Sequence, residues 1–182
     1  VWNPDQITWK KKIEEILDVR HLTVQRTVVP SDAVDPYSAR LICITDASAT
    51  AGGAAIYVGY RRKGGGWSNQ LITAKSRLLN WTVPRNELAS ILLGCEMTYL
   101  VHKALKPIVK ECIYLTDSQI SLCWIHNQQK RLRLFTHSRV EGIRRMINWT
   151  TGEDDIPLHH IPGTENIADY LTKDLQVTPE FV

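Results

Sequence analysis

The sequence predicts an α/β domain built on a mixed five-stranded sheet. In this sheet an antiparallel meander of three strands precedes two parallel strands, and helices flank both. Strand-like runs occupy residues 41–46, 53–61 and 67–75 in direct succession. Lys63-Gly-Gly-Gly66 joins the second run to the third, as expected for a hairpin. After residue 82, helix-like and strand-like segments alternate, which is typical of parallel strands joined by helices.

Each predicted strand or helix is indicated by its own sequence pattern. Leu41–Asp46 is almost continuously apolar, which favours a central strand buried on both faces. Pro84 opens a long helix for which Thr82 is the candidate N-cap. The helix has an apolar stripe that includes Leu88 and Ile91. The remaining predicted elements are a strand at 112–117, helices at 118–127 and 137–149, a short strand at 156–161 and a last helix at 165–175.

The length of 182 residues suits one domain with a short appendage. We expect a helix, a strand and a linker at 1–38, the main domain at 39–175 and a flexible tail at 176–182. Trp9, Ile13 and Leu17 give the first region its helical spacing. Because the chain starts with Val1 and ends in mid-flow at Val182, we expect it to be part of a longer polypeptide.

The composition excludes several classes of protein. Hydrophobic residues make up 43% and charged residues 23%, which excludes a disordered polymer, a collagen and a coiled coil. Uncharged runs are too short to cross a bilayer, and no signal-peptide pattern is present. The four cysteines lack metal-ligand spacing and have apolar neighbours, so we expect buried, reduced thiols in a reducing compartment: Cys43, Cys95, Cys112 and Cys123.

Positive charge is concentrated in two blocks, although the net charge is only +3. Residues 61–85 hold six basic side chains and no acidic one, and residues 130–145 hold six basic side chains against Glu141 alone. Two such blocks that converge in the fold would bind a polyanion. The alternative interpretation is that each block is an ordinary solvated face.

Four acidic residues fall where a metal site can form. Asp46 and Asp117 end two strands that are parallel neighbours in the predicted sheet, so their carboxylates should lie together. Glu87 lies one turn into the long helix, and Asp169 lies one turn into the predicted last helix. Such carboxylates repel each other and favour a hard cation such as Mg²⁺. Four of them can hold two ions, which is the arrangement used in phosphodiester cleavage.

The strings around these acids resemble a known family. They are Thr45-Asp-Ala-Ser48, Thr82-Val-Pro-Arg-Asn-Glu87, Leu115-Thr-Asp-Ser-Gln119 and Asn166-Ile-Ala-Asp169. With these four strings in this order, the chain resembles the ribonuclease H domain of an LTR retrotransposon reverse transcriptase. Val83-Pro-Arg-Asn-Glu-Leu88 and His160–Asp169 resemble the Bel/Pao group, while Ala168–Lys173 also resembles the Copia group. The resemblance covers residues 39–175, and residues 1–38 resemble the connection segment that follows the polymerase.

The resemblance implies a ribonuclease H-like fold and a specific activity. In the family, the acids that match Asp46, Glu87, Asp117 and Asp169 bind two catalytic Mg²⁺ ions, for which Mn²⁺ is expected to substitute. The implied reaction cleaves the RNA strand of an RNA/DNA hybrid during reverse transcription and leaves a 3′-hydroxyl and a 5′-phosphate. A polymerase would precede this domain and an integrase would follow it in a polyprotein. The expected location is the cytoplasm, within virus-like particles, with no membrane partner.

The resemblance and the charge pattern also indicate residues that would contact nucleic acid. Gln119 matches a residue that touches the RNA strand in the minor groove, and Thr82 matches a residue of a pocket for a DNA-strand phosphate. A plain helix cap is the alternative role for Thr82. The other candidates are Arg85, Ser118, Lys130, Arg131 and Arg133. His159 and His160 precede the loop in which many family members carry a histidine, and we leave both out of the catalytic set.

Two other functions remain open at this stage. An integrase-type catalytic core shares the sheet and the metal chemistry, but it would supply its last acid as a Glu on a later helix. A non-catalytic tether within a reverse transcriptase is the second alternative, and some such copies have lost their acids. Cleavage of a labelled hybrid in Mg²⁺ separates the three functions.

Overall fold

The protein is described by a computed structural model that covers residues 4–18, 27–127, 131–152 and 156–173. The chain forms two compact units, one that contains α1 and one that spans Val28–Lys173. Helix α1 (Pro4–Asp18) confirms the predicted first helix, and Lys12 pairs with Glu15 along it at 3.4 Å. The strand expected around Val24 lies outside the described residues.

Five strands form one sheet in the order β3-β2-β1-β4-β5. Strand β1 pairs antiparallel with β2 and parallel with β4, β2 pairs antiparallel with β3, and β4 pairs parallel with β5. This confirms the predicted fold class. The strands are β1 (Ala39–Ala47), β2 (Ala51–Arg61), β3 (Trp67–Leu78), β4 (Val109–Thr116) and β5 (Leu158–His160).

The glycine-rich segment forms the predicted hairpin between β2 and β3. Gly65 and Gly66 have φ values of 89° and 77°, a left-handed conformation that L-residues with a Cβ adopt at a steric penalty. A register shift between Ile56 and Tyr57 marks a bulge in this hairpin. The run of glycines is therefore needed for the backbone geometry of the turn.

Three helices complete the main unit: α2 (Val83–Leu105), α3 (Gln119–His126) and α4 (Leu134–Thr151). Helix α2 is long and apolar enough for a membrane span by length and composition. Its Leu88, Ile91 and Cys95 are instead fully or almost fully buried in the core. Gly94 lets α2 approach β1 closely, since a Cβ there would lie 2.6 Å from the Sγ atom of Cys43.

The end of the chain differs from the prediction. Residues 165–175 were expected to form an α-helix, but the structure has two 3-10 helices, Gly163–Glu165 and Ile167–Leu171. Asn166 separates them because it adopts an extended conformation and its side chain accepts a hydrogen bond from the Ala168 backbone N–H at 3.1 Å. This local bond competes with the hydrogen-bond pattern of a continuous α-helix.

The expectation of four buried thiols is wrong at one position. Cys43, Cys95 and Cys112 are buried, whereas Cys123 is exposed on α3. Burial raises the pKa of Cys43 and of Cys112 to about 12, so these two thiols stay protonated and unreactive. Helical periodicity around Cys123 did not reveal that its position faces solvent.

Candidate active site

Two aspartates meet at the carboxyl ends of β1 and β4. The strands are parallel and Thr45 pairs with Thr116, so the next residue of each chain segment, Asp46 or Asp117, falls at the same edge of the sheet. Asp46 is buried, with 8% of its surface exposed. The predicted proximity of these two acids follows directly from this register.

Glu87 reaches the same edge from α2. The Ser118 hydroxyl donates a hydrogen bond to Oε2 of Glu87 at 2.5 Å. The same hydroxyl oxygen caps α3 by accepting a hydrogen bond from the Ser121 backbone N–H at 3.2 Å. Because Ser118 directly follows Asp117, one residue links the position of the helical acid to the end of β4.

The segment at 166–173 brings the fourth acid and three hydrogen-bond donors. The Asn166 side chain donates to the Thr45 carbonyl at 3.1 Å and to Oδ1 of Asp46 at 3.4 Å. The Thr172 hydroxyl donates to Oδ2 of Asp46. The Lys173 ammonium pairs with the carboxylate of Asp169. Asp46 is therefore held on both of its oxygens by this segment.

Sequence reasoning missed Asn166, Thr172 and Lys173 as parts of the site. The signal was present in the spacing, because Thr172 and Lys173 follow Asp169 by three and four residues and so lie on its side of a helical turn. Asn166 was quoted only as part of a motif string, although an asparagine before a helical turn is a common cap.

Burial and neighbouring negative charge both raise the pKa values of Asp46 and Glu87. Burial raises the pKa of Asp46, the bond from Thr172 opposes this, and the charges of Asp117 and Asp169 raise it further. Burial also raises the pKa of Glu87, against the bond from Ser118, and Asp117 and Asp46 add to the increase. The hydrogen bond to Asp169 raises the pKa of the Lys173 ammonium. The sheet edge that carries the four acids therefore has an excess of negative charge.

The donors at this edge suit a hard cation. Asp46, Glu87, Asp117 and Asp169 offer only carboxylate oxygens, the ligand type that Mg²⁺ prefers. Across the described residues, no three His, Cys, Asp or Glu side chains stand close enough together to hold a metal ion as they are placed. The four acids thus fit the metal that the resemblance implies by donor chemistry and charge.

The residues predicted to contact nucleic acid lie in different parts of the structure. Gln119, Arg131 and Arg133 line one cavity of about 570 Å³ beside α3. Thr82 occupies the N-cap position of α2 without a side-chain capping bond, so its hydroxyl is not used as a cap. Arg85 lies against the ring of Phe135. Ser118 is bonded to Glu87, and Lys130 lies outside the described residues.

The two histidines lie on β5, as expected from the sequence. Both are exposed, and His160 pairs in register with Thr116, the residue before Asp117. His160 is therefore at the acidic edge of the sheet, although the described contacts connect its side chain to none of the four acids.

A sequence profile of the family described as "Pao retrotransposon-like RNaseH-like domain" matches residues 3–118, which is more than half of the chain. The chain belongs to this family. The matched region includes Asp46, Glu87 and Asp117 and ends before Asp169. The protein is thus an RNase H-like domain of the retrotransposon type. A search of curated protein sequences found no match.

Solved structures give further similarities. RNase H1 from the halophilic archaeon Halobacterium salinarum is 16% identical, with 74% of this chain and 93% of that chain covered and a TM-score of 0.48. LC11-RNase H1 in complex with an RNA/DNA hybrid is 16% identical over 73% of this chain and 92% of that one, with a TM-score of 0.49. The foamy viral protease-reverse transcriptase dRH in complex with double-stranded DNA is 12% identical over 98% of this chain and 29% of that one, with a TM-score of 0.41.

Proposed function

We propose that this domain is a two-metal-ion endoribonuclease that cleaves the RNA strand of RNA/DNA hybrids during reverse transcription of a retroelement. The observation that carries the proposal is the meeting of Asp46, Glu87 and Asp117 at one sheet edge, where burial and then the charge of Asp117 raise the pKa of both Asp46 and Glu87. Asp169 joins them from the last 3-10 helix. The family to which the chain belongs supports the same activity.

In this proposal the four acids hold two Mg²⁺ ions, and Mn²⁺ can substitute for them. Bound there, the ions supply Lewis acidity and a water of lowered pKa to phosphodiester hydrolysis. Asn166 and Thr172 hold both oxygens of Asp46, and Ser118 orients Glu87. When no other cation neutralises the Asp169 carboxylate, the Lys173 ammonium pairs with it. The products would be a 3′-hydroxyl and a 5′-phosphate.

In this proposal the hybrid is bound by residues around the carboxylate edge, which is the sheet edge that carries the four acids. Gln119, together with Arg131 and Arg133, shares one cavity beside α3, which suits a backbone that passes the site. Thr82 and Arg85 stand at the start of α2. Basic contacts of this kind give affinity without sequence selection, as a hybrid of arbitrary sequence requires. Lys130 stays a contact predicted from the sequence alone.

The proposed setting is a polyprotein with a polymerase upstream and an integrase downstream, in cytoplasmic virus-like particles. Membership of a retrotransposon family supports the reverse-transcriptase part of this setting, whereas the integrase and the location stay predictions from the resemblance. The predicted division into residues 1–38, 39–175 and 176–182 remains part of the proposal.

The decisive experiment is hybrid cleavage with a matched pair of variants. Wild type should cleave the RNA strand of a labelled hybrid in Mg²⁺, and Asp117→Asn should not. Glu111→Gln is the control, because Glu111 lies on the same strand near its opposite end and pairs with Arg40 at the surface. A near wild-type rate in Asp117→Asn would disprove the metal-site assignment.

A non-catalytic role in the reverse transcriptase is the second candidate. The pairing of Asp169 with Lys173 favours it, because a lysine already neutralises one of the four acids. If wild type binds the hybrid but neither Mg²⁺ nor Mn²⁺ supports cleavage, this second function replaces the first. An integrase-type core is disfavoured, because the family profile that matches is RNase H-like.

A further inference from the structure

Asn86 is a fully buried amide near the start of α2, directly before the acid Glu87. Its side-chain nitrogen donates hydrogen bonds to the carbonyls of Ser48 and Ala49, at 3.0 and 3.2 Å. Its side-chain oxygen accepts a hydrogen bond from the Trp81 backbone N–H at 3.2 Å. The two hydrogens and the oxygen of the amide therefore each have a partner, and all three partners are backbone groups outside α2.

The bonds of this amide join α2 to the turn that follows the buried aspartate. Ser48 and Ala49 lie between β1 and β2, two and three residues after Asp46. The Ser48 hydroxyl oxygen holds this turn in shape, because it accepts hydrogen bonds from the Thr50 and Ala51 N–H groups at 3.3 and 3.0 Å. The amide is thus bonded to a compact turn only a few residues from the first acid of the site.

A close contact beside these bonds brings α2 against the β1–β2 hairpin. A Cβ at Gly52 would lie 2.1 Å from the Oγ atom of Ser90, so the absence of a side chain at Gly52 lets the helix approach β2. Ser90 lies one turn after Asn86 and donates a hydrogen bond to its carbonyl at 2.9 Å. With α2 in contact with β2 here, the amide bonds limit how far the start of the helix can slide or rotate on the sheet.

A buried asparagine is a demanding way to hold two elements together. Asparagine has a lower helix propensity than leucine, and a buried amide costs free energy unless its hydrogen bonds are made. An apolar side chain would pack against the hairpin without that requirement. A fully bonded amide instead gives directional contacts, which specify one arrangement more narrowly than apolar packing does.

We propose that Asn86 is a positioning residue that fixes Glu87 relative to Asp46 for metal binding, an inference that rests on the proposed function. Adjacent helical residues point about 100° apart, so Asn86 faces the β1–β2 turn while Glu87 faces Ser118 at the carboxylate edge. Asn86 acts through the backbone, because it ties the turn after Asp46 to the helical turn that carries Glu87. A metal site requires ligands that are held to within about 0.5 Å of their working positions.

The test is Mn²⁺ binding by the full chain, measured by titration calorimetry and by the EPR signal of free Mn²⁺. Asn86→Leu keeps most of the side-chain volume without the hydrogen bonds. Asn86→Ala is the second variant, because it leaves space for water to bond the freed carbonyls if the leucine variant does not fold. Each should weaken Mn²⁺ binding by about 10–100-fold, the usual loss when a group that orients a metal ligand is removed.

The matched control is Thr98→Val. Thr98 is also fully buried on α2, but it lies about three turns beyond Glu87, where its hydroxyl bonds the Gly94 carbonyl at 2.8 Å. This variant should lower the melting temperature and keep the wild-type Mn²⁺ affinity.

A double-mutant cycle with Glu87→Gln separates positioning from a general loss of stability. If Asn86 acts through Glu87, Asn86→Leu should have little further effect on Mn²⁺ affinity once Glu87 has lost its charge. A purely structural role would weaken binding by the same factor in both backgrounds. The cycle is read by EPR at millimolar Mn²⁺, so that weak binding is still measured.

Several results would overturn the inference. Wild-type Mn²⁺ affinity in the folded Asn86 variants would show that the amide only fastens α2 to the hairpin, and failure of both variants to fold would assign it a folding role instead. Equal factors in the cycle, an equal loss in Thr98→Val, or absence of Mn²⁺ binding by wild type would also reject it. Hybrid cleavage separates the two proposals. Weaker Mn²⁺ binding by variants of a chain that never cleaves rejects only the proposed function, whereas cleavage with unchanged Mn²⁺ affinity in the variants rejects only this inference.

Discussion

Ser118→Ala should destabilise the protein mainly through two of the three contacts of its hydroxyl; the third is a hydrogen bond of 2.8 Å with the Ser121 hydroxyl. The Ser118 oxygen caps α3 through the Ser121 N–H at 3.2 Å, and its proton bonds the carboxylate of Glu87 at 2.5 Å. Loss of the cap costs about 1 kcal/mol, and loss of a bond to a half-buried ionised carboxylate costs about 1.5 kcal/mol. The sum of about 2.5 kcal/mol should lower the melting temperature by about 5–10 °C for a chain of this size.

The pH dependence separates the two contacts. The bond from Ser118 lowers the pKa of Glu87, so its removal raises that pKa further above the usual 4.5. The part of the difference that comes from this bond is therefore fully present above the variant's pKa and is lost as the pH falls through the wild-type pKa. Urea unfolding should show the full difference near pH 7 and only the cap contribution, about 1 kcal/mol, near pH 4.

A matched control is available on α4. The Ser138 hydroxyl is exposed and, within the described residues, bonds the Phe135 carbonyl at 3.1 Å and no other group, so Ser138→Ala should change the unfolding free energy by less than about 0.5 kcal/mol. The reasoning is refuted if Ser118→Ala loses the same free energy at both pH values, because the bond to Glu87 would then contribute nothing.

Four further predictions concern the site and its support. Asp117→Asn should raise the melting temperature of the metal-free protein in calorimetry with EDTA, because it removes a charge that repels two other acids. Gly94→Ala should lower the unfolding free energy in urea by about 1–3 kcal/mol, because its Cβ would meet β1 side chains at 2.6–2.7 Å. Lys173→Met should tighten Mn²⁺ binding in titration calorimetry, because the ammonium competes for Asp169; weaker binding would show that Lys173 supports the site. His160→Ala should leave the melting temperature and single-turnover cleavage close to wild type, since its side chain is exposed; a hundredfold loss of rate would return it to the active site.

The sheet was predictable because its signals are local and strong. The apolar run of β1, the glycine hairpin and the alternation after residue 82 each depend on a few adjacent residues, and chain-connection rules then fix the strand order. The meeting of Asp46 and Asp117 follows from that order, since both lie at the carboxyl ends of parallel neighbours.

The rest of the site depended on contacts that periodicity does not encode. The sequence predicted one α-helix at 165–175, but Asn166 caps a separate 3-10 helix, and Asn166 and Thr172 bond Asp46, 120 or more residues away in sequence. The pairing of Lys173 with Asp169 could have been predicted, because the two residues have the i,i+4 spacing that brings side chains together on a helical turn. The pairing of Ser118 with Glu87 joins residues 31 positions apart.

The parallel pairing of β1 with β4 also has a consequence for how the protein folds. The two strands are separated in sequence by the whole hairpin and α2, and the bond from Asn166 to Thr45 spans 121 residues. Contacts between such distant residues form slowly, because a long loop must close before they stabilise the chain. We expect the β1–β2–β3 meander to form early and the carboxylate edge to assemble last, so the unfinished intermediate would have three strands of the sheet but would not yet have brought the four acids together.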